Sequence, residues 1–439
     1  MRDEDKHPIN AKESAILVRV IFPDQAFCDD PLEELEGLAT TAGVRVVCGI
    51  VQRRDKPDAT AYLGKGKIEE LRQLVETHQA DLVIFDNDLS PAQTRNLEKA
   101  TGVKVVDRTE LILDIFASNA QTYEARLAVE LAQLEYSLPR LKNMWSHLSR
   151  IKAGVGMRGP GEKQLETDRR LVEKRIADLR GEIAAVEKRK ERQVASRRDH
   201  MTVSLVGYTN AGKSTLMNAL TDANVLAQDK LFATLDTRTR RWQLPNWGPV
   251  LLSDTVGFIR NLPHRLITSF KATLEESRQA DLLLHVADAS NPAVYDQISA
   301  VYDVLEEIGI EEKDALLVLN KIDQLADGVT LEGLRRRYPN AAAVSAKTRA
   351  GFELLTQAVS DALSKAFRHV DVEADVSNGK LMAYLAAKGE VLSKEFVGQR
   401  VIMNCRIPQK YLGRIKDDGV EIRPHVNGQP LQQSGEDVA

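Results

Sequence analysis

Apolar positions along the 439 residues fall into distinct regimes. From 13 to 107, short apolar runs alternate with stretches whose apolar residues recur every three or four positions. The runs 15–20, 44–51, 81–86 and 103–106 predict strands, and 32–41, 68–78 and 91–100 predict helices. Pro91 directly after Ser90 marks a favourable helix start. Strands alternating with helices predict a parallel α/β domain over 13–107. From 108 to 200 the pattern changes. Leu127, Leu131, Leu134, Leu138 and Leu141 recur at spacings of four and three, as do Val172, Ile176, Leu179, Ile183 and Val186. Two such seams joined by a glycine-rich connection predict an antiparallel helical hairpin.

From 201 to 367 the alternation returns, with apolar strands expected at 202–206, 249–254, 282–288 and 316–319 and a last one ending at 343–347. Over 368–424 a smaller α/β domain is expected, with strands at 370–375, 400–406 and 420–422 and helices at 380–392 and 409–415. The polar ends, 1–12 and 425–439, read as disordered tails. The expected fold is α/β and multidomain: an N-terminal parallel α/β domain with a helical hairpin, a Ras-like P-loop domain and a small C-terminal α/β domain.

Composition narrows the class. A hydrophobic fraction of 43% suffices for packed cores, and a net charge of −4 argues against a simple basic nucleic-acid binder. Cys28, Cys48 and Cys405 are too few and too far apart for a disulfide framework or a metal-ligand spacing. The charged start Met1-Arg2-Asp3-Glu4-Asp5-Lys6 lacks the apolar core of a signal peptide, and no apolar run approaches membrane-spanning length. A cytoplasmic protein without membrane insertion is expected, as a monomer.

Charge is nevertheless uneven. Residues 151–200 carry 14 Lys/Arg against 9 Asp/Glu. The hairpin connection holds four glycines and a proline between Arg150, Lys152, Arg158 and Lys163, with Trp145 at its start. A protruding basic loop of this kind suits irregular RNA, where shape, stacking and phosphate contact dominate. A solvated charged face is the alternative for the helices. Gly64-Lys65-Gly66 resembles an anion cradle at a helix start but reads more simply as a turn.

The chemistry concentrates at Gly207-Tyr208-Thr209-Asn210-Ala211-Gly212-Lys213-Ser214, which has the spacing G-x-x-x-x-G-K-[ST] between a strand and the helix that begins near Thr215. Glycines let successive N–H groups face phosphate oxygens, and the helix N-terminus adds a favourable dipole. Lys213 reaches the β- and γ-phosphates, and the Ser214 hydroxyl suits Mg²⁺. Downstream, Phe232-Ala233-Thr234-Leu235-Asp236-Thr237 offers a threonine that senses the γ-phosphate through Mg²⁺; Thr234 is the first choice and Thr237 the second. Asp254-Thr255-Val256-Gly257 is a D-x-x-G string, with Asp254 on the Mg²⁺ shell and the Gly257 amide toward the γ-phosphate. Asn320-Lys321-Ile322-Asp323 selects guanine, because a carboxylate there accepts from N1–H and the 2-amino group. Ser345-Ala346-Lys347 completes the pocket at O6. Lys213, Thr234 and Gly257 form the expected catalytic set for hydrolysis of GTP to GDP and phosphate. Phe258 occupies the position where Ras-like enzymes carry the glutamine that orients water, which implies slow turnover without a partner. Asn210 resembles the asparagine of GTPases that bind K⁺ beside the phosphates; capping of its own loop is the equal alternative.

Together these strings resemble the HflX family of ribosome-associated GTPases, in the Obg-HflX branch. The resemblance rests further on Tyr62-Leu63-Gly64-Lys65-Gly66-Lys67, Ser90-Pro91-Ala92-Gln93, Asp107-Arg108-Thr109, Leu113-Asp114-Ile115-Phe116, Arg158-Gly159-Pro160-Gly161-Glu162 and Gln164-Leu165-Glu166-Thr167-Asp168-Arg169-Arg170. One departure is Thr237-Arg238, where the family commonly has Pro-Thr. The resemblance implies binding to the large ribosomal subunit, GTP-linked splitting or rescue of ribosomes under stress, and a hairpin tip that reaches ribosomal RNA near the peptidyl-transferase region. The competing expectations are a GTPase of large-subunit assembly and a nucleotide-gated RNA-binding adaptor with little turnover. No DNA partner is expected.

Overall fold

The computed structural model describes residues 13–23, 30–144, 160–196, 201–221, 231–232, 237–244, 248–260, 277–307, 309–310, 315–325, 328–364, 367–413, 415 and 419–425. Both tails expected to be disordered, apart from His425, lie outside these residues. The described chain divides into two compact units: Met1–Gln243 with Pro249–Gly351, and Leu244–Gly248 with Phe352–Ala439.

The first unit opens with four parallel strands in the order β2-β1-β3-β4: β1 (Ser14–Ile21), β2 (Arg45–Arg53), β3 (Leu82–Phe85) and β4 (Lys104–Asp107). Alternate residues of β1 feed opposite faces. Ile16 and Val18 pack with Leu71 and Leu97, from α2 (Lys65–His78) and α3 (Pro91–Thr101). Ala15 and Leu17 pack with Leu35, Leu38, Leu111 and Ile115, from α1 (Glu33–Thr41) and α4 (Arg108–Asn119). That is why β1 reads as an unbroken apolar run: both of its faces are covered. Helix α3 starts where Ser90-Pro91 predicts, with a reciprocal capping box between Ser90 and Gln93. Gly64 is the residue before α2, extended and without a side-chain cap.

Residues 108–119 differ from expectation. They form α4, which buries Leu111, Ile112, Ile115 and Phe116 in the sheet core rather than starting the hairpin. The hairpin itself is α5 (Tyr123–Met144) and α6 (Pro160–Ser196). Leu127, Leu131, Ile176 and Leu179 form its seam, flanked by Leu134, Leu138, Val172 and Ile183. Arg175 forks onto both Glu130 oxygens at 2.8 and 2.9 Å, and Arg180–Glu135 and Arg189–Glu124 add cross-links at 2.7 and 2.6 Å. The buried Asp107 carboxylate caps α4 at the Glu110 N–H and accepts from Tyr136 and Arg140, in the second half of α5, each at 2.8 Å.

A six-stranded sheet follows, in the order β10-β9-β8-β5-β7-β6: β5 (Thr202–Gly207), β6 (Arg238–Leu244), β7 (Gly248–Asp254), β8 (Leu282–Asp288), β9 (Ala315–Asn320) and β10 (Ala342–Ala343). Pairings from β10 through β7 are parallel. Helices α7 (Lys213–Thr221), α8 (Val294–Glu307) and α9 (Gly328–Arg337) accompany it. The last strand is shorter than expected, leaving Val344–Lys347 as a loop.

The second unit contains α10 (Phe352–Ser364), β11 (Phe367–Asp375), α11 (Gly379–Lys388), β12 (Glu390–Val397), β13 (Arg400–Pro408), α12 (Gln409–Leu412) and β14 (Glu421–Pro424). Its sheet is antiparallel, ordered β12-β13-β11-β14, over a core of Val370, Val372, Leu381, Leu385, Met403 and Ile407. The helix expected over 380–392 ends at Lys388, and Glu390–Val397 is an edge strand. Gly389, in extended conformation, breaks the helical run there.

Candidate nucleotide site

The strand ends of the six-stranded sheet bring the nucleotide motifs together, as parallel sheets do. Lys213 starts α7, and its buried ammonium donates to the Gly207 and Tyr208 carbonyls at 3.1 and 2.8 Å. Burial lowers its pKa to about 8, and Asp254 opposes that shift. The Ser214 hydroxyl donates to Asp254 Oδ2 at 2.6 Å, so two hard oxygen groups from separate elements meet beside the lysine. Oxygen donors of this kind fit Mg²⁺. The Thr209 hydroxyl is buried and has no hydrogen-bond partner among the described residues. A Cβ on Gly257 would lie 2.9 Å from the Thr209 Cα, and Gly212 has a left-handed φ of 88° with Asn320 Nδ2 2.4 Å from where its Cβ would stand, so a larger residue is disfavoured at both.

Asn320 binds the site together rather than facing solvent. Its Nδ2 donates to Ala211 O at 2.9 Å and its Oδ1 accepts from Ala346 N at 3.0 Å, joining the phosphate loop to the Ser345–Lys347 loop. Lys321 adopts a left-handed φ of 61° and pairs with Asp288 at 2.8 Å. Asp323 is exposed, and its Oδ1 accepts from Ser345 Oγ at 2.6 Å, which orients the carboxylate. Thr255 is buried, donating to Leu205 O at 2.6 Å. Asn210 is exposed, at a left-handed φ of 60°. Lys347 is exposed and Thr215 lies in the first turn of α7. Ala233 and Thr234 lie outside the described residues, as do Arg150, Lys152 and Arg158; Lys163 falls within α6, and its side chain is not described.

Tyr208 was expected to serve the nucleotide, yet its side chain turns away into the N-terminal domain. Its hydroxyl donates to Glu34 Oε2 at 2.7 Å and accepts from Arg260 N at 2.8 Å. Glu34 also pairs with Arg108, which donates to the Arg260 carbonyl at 3.0 Å and pairs with Asp86. Burial alone would raise the Glu34 pKa, but Arg108 and the Tyr208 hydroxyl outweigh it and hold the carboxylate below its ordinary range. Burial and the Glu34 charge raise the Tyr208 phenol. Val256 is buried, and Phe258 is buried in the shared core, its N–H and C=O bridging to Gly207 O and Thr209 N. The Phe232 ring stacks edge-on against Phe116 of α4 at 4.6 Å, and Asn119 donates to its carbonyl at 3.1 Å. The segments on both sides of the phosphate site therefore rest on α1 and α4. Sequence reading missed this contact; the only signal was several charged residues beside apolar strand ends.

Models of three families match successive segments: GTP-binding GTPase N-terminal over 29–117, GTP-binding GTPase Middle Region over 119–197, and 50S ribosome-binding GTPase over 202–321. GTPase HflX of Escherichia coli (strain K12) is 49% identical over 358 residues, covering 81% of this chain and 84% of the relative. GTPase HflX of Lacrimispora saccharolytica is 43% identical over 409 residues, covering 93% and 96%. Among solved structures, a GTP-binding protein of Sulfolobus solfataricus in complex with GDP aligns with 80% of this chain and 99% of its own, at 23% identity and a TM-score of 0.44. With the phosphate loop, the D-x-x-G turn and the guanine strings gathered at one sheet edge, and relatives of this identity along most of its length, the chain belongs to the HflX family of GTPases.

Proposed function

We propose that this GTPase binds the large ribosomal subunit and uses GTP binding and hydrolysis to dissociate or rescue stalled or stress-damaged ribosomes in the cytoplasm, acting as a monomer. The observation that carries the reading is the docking of Phe232 and Arg260 on α4 and of Tyr208 on Glu34 of α1. A nucleotide that binds two arrangements of these segments unequally shifts the N-terminal domain between them, and Asp107 fastens α4 to α5 of the hairpin at Tyr136 and Arg140. The match to a 50S ribosome-binding GTPase model supports the partner.

In this reading Lys213 holds the β- and γ-phosphates, the Gly257 amide meets the γ-phosphate, and Asp323 reads guanine while Ser345 and Ala346 close the pocket. Ser214, Thr234 and Asp254 hold Mg²⁺, which neutralises phosphate charge when bound. Asn210, exposed in the phosphate loop, holds K⁺. Phe258 is buried and cannot orient water, so turnover is slow until the ribosome supplies the missing group. Arg150, Lys152, Arg158 and Lys163 carry the hairpin tip onto ribosomal RNA. The test is sedimentation of 70S ribosomes with the full chain and a non-hydrolysable GTP analogue. Splitting into subunits is the expected result. Intact 70S particles, with binding confined to immature 50S precursors, would replace this reading with one of large-subunit assembly. Binding without any turnover on ribosomes would leave an RNA adaptor.

A further inference from the structure

A basic and aromatic patch lies on α8 and α9, on elements the nucleotide chemistry does not use. Arg335, Arg336 and Arg337 form the last turn of α9, and all three are exposed. None forms an ion pair among the described residues. Beside them, the rings of Tyr295 and Tyr338 lie nearly parallel, at an interplanar angle of 26° with centroids 6.4 Å apart. Tyr338 is half-buried against the core that holds Leu334, which fixes its ring. Tyr295 reaches over α9, where a Cβ on Gly333 would lie 3.7 Å from its hydroxyl, and it remains 37% exposed. The Arg337 guanidinium lies 5.1 Å from the Tyr295 ring centre and 5.9 Å from that of Tyr338.

Positive charge at a helix C-terminus complements the helix dipole, but that effect fades within the last turn and calls for no aromatic neighbour. Exposed rings beside unpaired guanidinium groups have the chemistry of a single-stranded nucleic-acid platform. Bases stack on the ring faces and on guanidinium planes, while the remaining arginines meet phosphates.

We propose that Tyr295, Tyr338 and Arg335–Arg337 form an RNA-binding site for an unpaired segment, separate from the hairpin tip. An acidic peptide would use the arginines alone, with no need for the ring faces. The site deepens the ribosomal reading by naming a second contact, but it requires neither the tip nor ribosome splitting.

The experiment measures fluorescence anisotropy of a labelled unstructured 12-nucleotide RNA with the full chain carrying Arg158→Ala and Lys152→Ala, so that the tip does not dominate. Adding Arg335→Ala, Arg336→Ala and Arg337→Ala is expected to weaken binding at least tenfold and to reduce the slope of log affinity against log salt by about 2. Tyr295→Ala is expected to weaken binding about fivefold or more with the salt slope unchanged, and Tyr295→Phe to retain it. Guanine-nucleotide affinity and melting temperature, followed in each variant, confirm folding. Wild-type binding by both the arginine and tyrosine variants overturns the proposal. So does loss with the arginines alone, especially if polyglutamate competes, since the patch would then be a charge surface for acidic chains. Ribosome splitting is not a readout here, so its failure would bear on the proposed function and leave this site standing.

Discussion

Asp323 is expected to carry base selection through a carboxylate whose Oδ1 accepts from Ser345 Oγ at 2.6 Å. Asp323→Asn keeps an acceptor for Ser345 and turns a donor toward the base. GTP affinity is expected to fall at least tenfold while xanthosine triphosphate, with its 2-oxo group, gains; unchanged GTP affinity in a titration would remove Asp323 from the pocket. His285 presents a different balance. It is buried in β8 with its ring edge-on to Tyr302 at 4.8 Å, and burial, then the nearby Lys213 charge, lower its pKa to about 3. Its folded pKa lies below the unfolded value near 6.5, so the stability of the neutral ring is intact above about 6.5 and is lost as pH falls toward 3, at roughly 1.4 kcal/mol per pH unit. His285→Leu is expected to flatten melting temperature against pH between about 4 and 6.5; parallel acid slopes in both proteins would sink the assignment. Asn210 is tested by turnover in K⁺ and Na⁺ at matched ionic strength. Stimulation by K⁺ in the wild type, absent in Asn210→Ala with nucleotide affinity retained, is the expected pattern, and a cation-indifferent wild type rules it out. Asp323 and Asn210 stood out in the sequence; His285 did not, and its burial and the partners of Asp323 came from the fold.

Between elements, α1 and α4 hold the segments around the phosphate site through the Tyr208 hydroxyl, the Arg108 guanidinium, the Asn119 amide and the Phe116 ring. Tyr208→Phe removes the hydroxyl and leaves the Arg260 amide without this acceptor, at a cost of roughly 1–3 kcal/mol. Glu34 keeps Arg108, so the N-terminal sheet is expected to stand. Hydrogen exchange should therefore accelerate at Arg260 and Phe258 while β1 and β3 keep their protection; uniform acceleration would mean that the contact is not local. The elements themselves were unevenly legible. The hairpin seams and α3 carry strong local signals, in heptad-like spacing and a capping box. The β12 strand carries none, because on an exposed edge its residues show no burial alternation. Helix α4 looked like hairpin because its apolar spacing is helical in either place, and only the α1 surface decides which core it enters.

Across the whole chain, charge concentrates on the hairpin while the nucleotide chemistry sits on the six-stranded sheet. Arg158→Ala with Lys152→Ala is expected to weaken large-subunit binding and reduce its salt dependence, with GTP affinity unchanged. Unaltered pelleting with 50S subunits would make the tip a structural loop. The residues by themselves determined whatever depends on neighbours within a few turns or strands: the phosphate loop from Gly207 to Ser214, the guanine string at Asn320–Asp323, the parallel class of the first sheet and the two seams of the hairpin. Spacing along the chain dictates those features, since 3.6-residue and two-residue periods and fixed loop geometry are local. Tertiary structure alone decided where buried charge goes. Tyr208 meets Glu34 across 174 positions, and Arg108 meets the Arg260 carbonyl across 152. A buried polar group takes whichever partner packing brings within reach, and no periodicity along the chain encodes that choice.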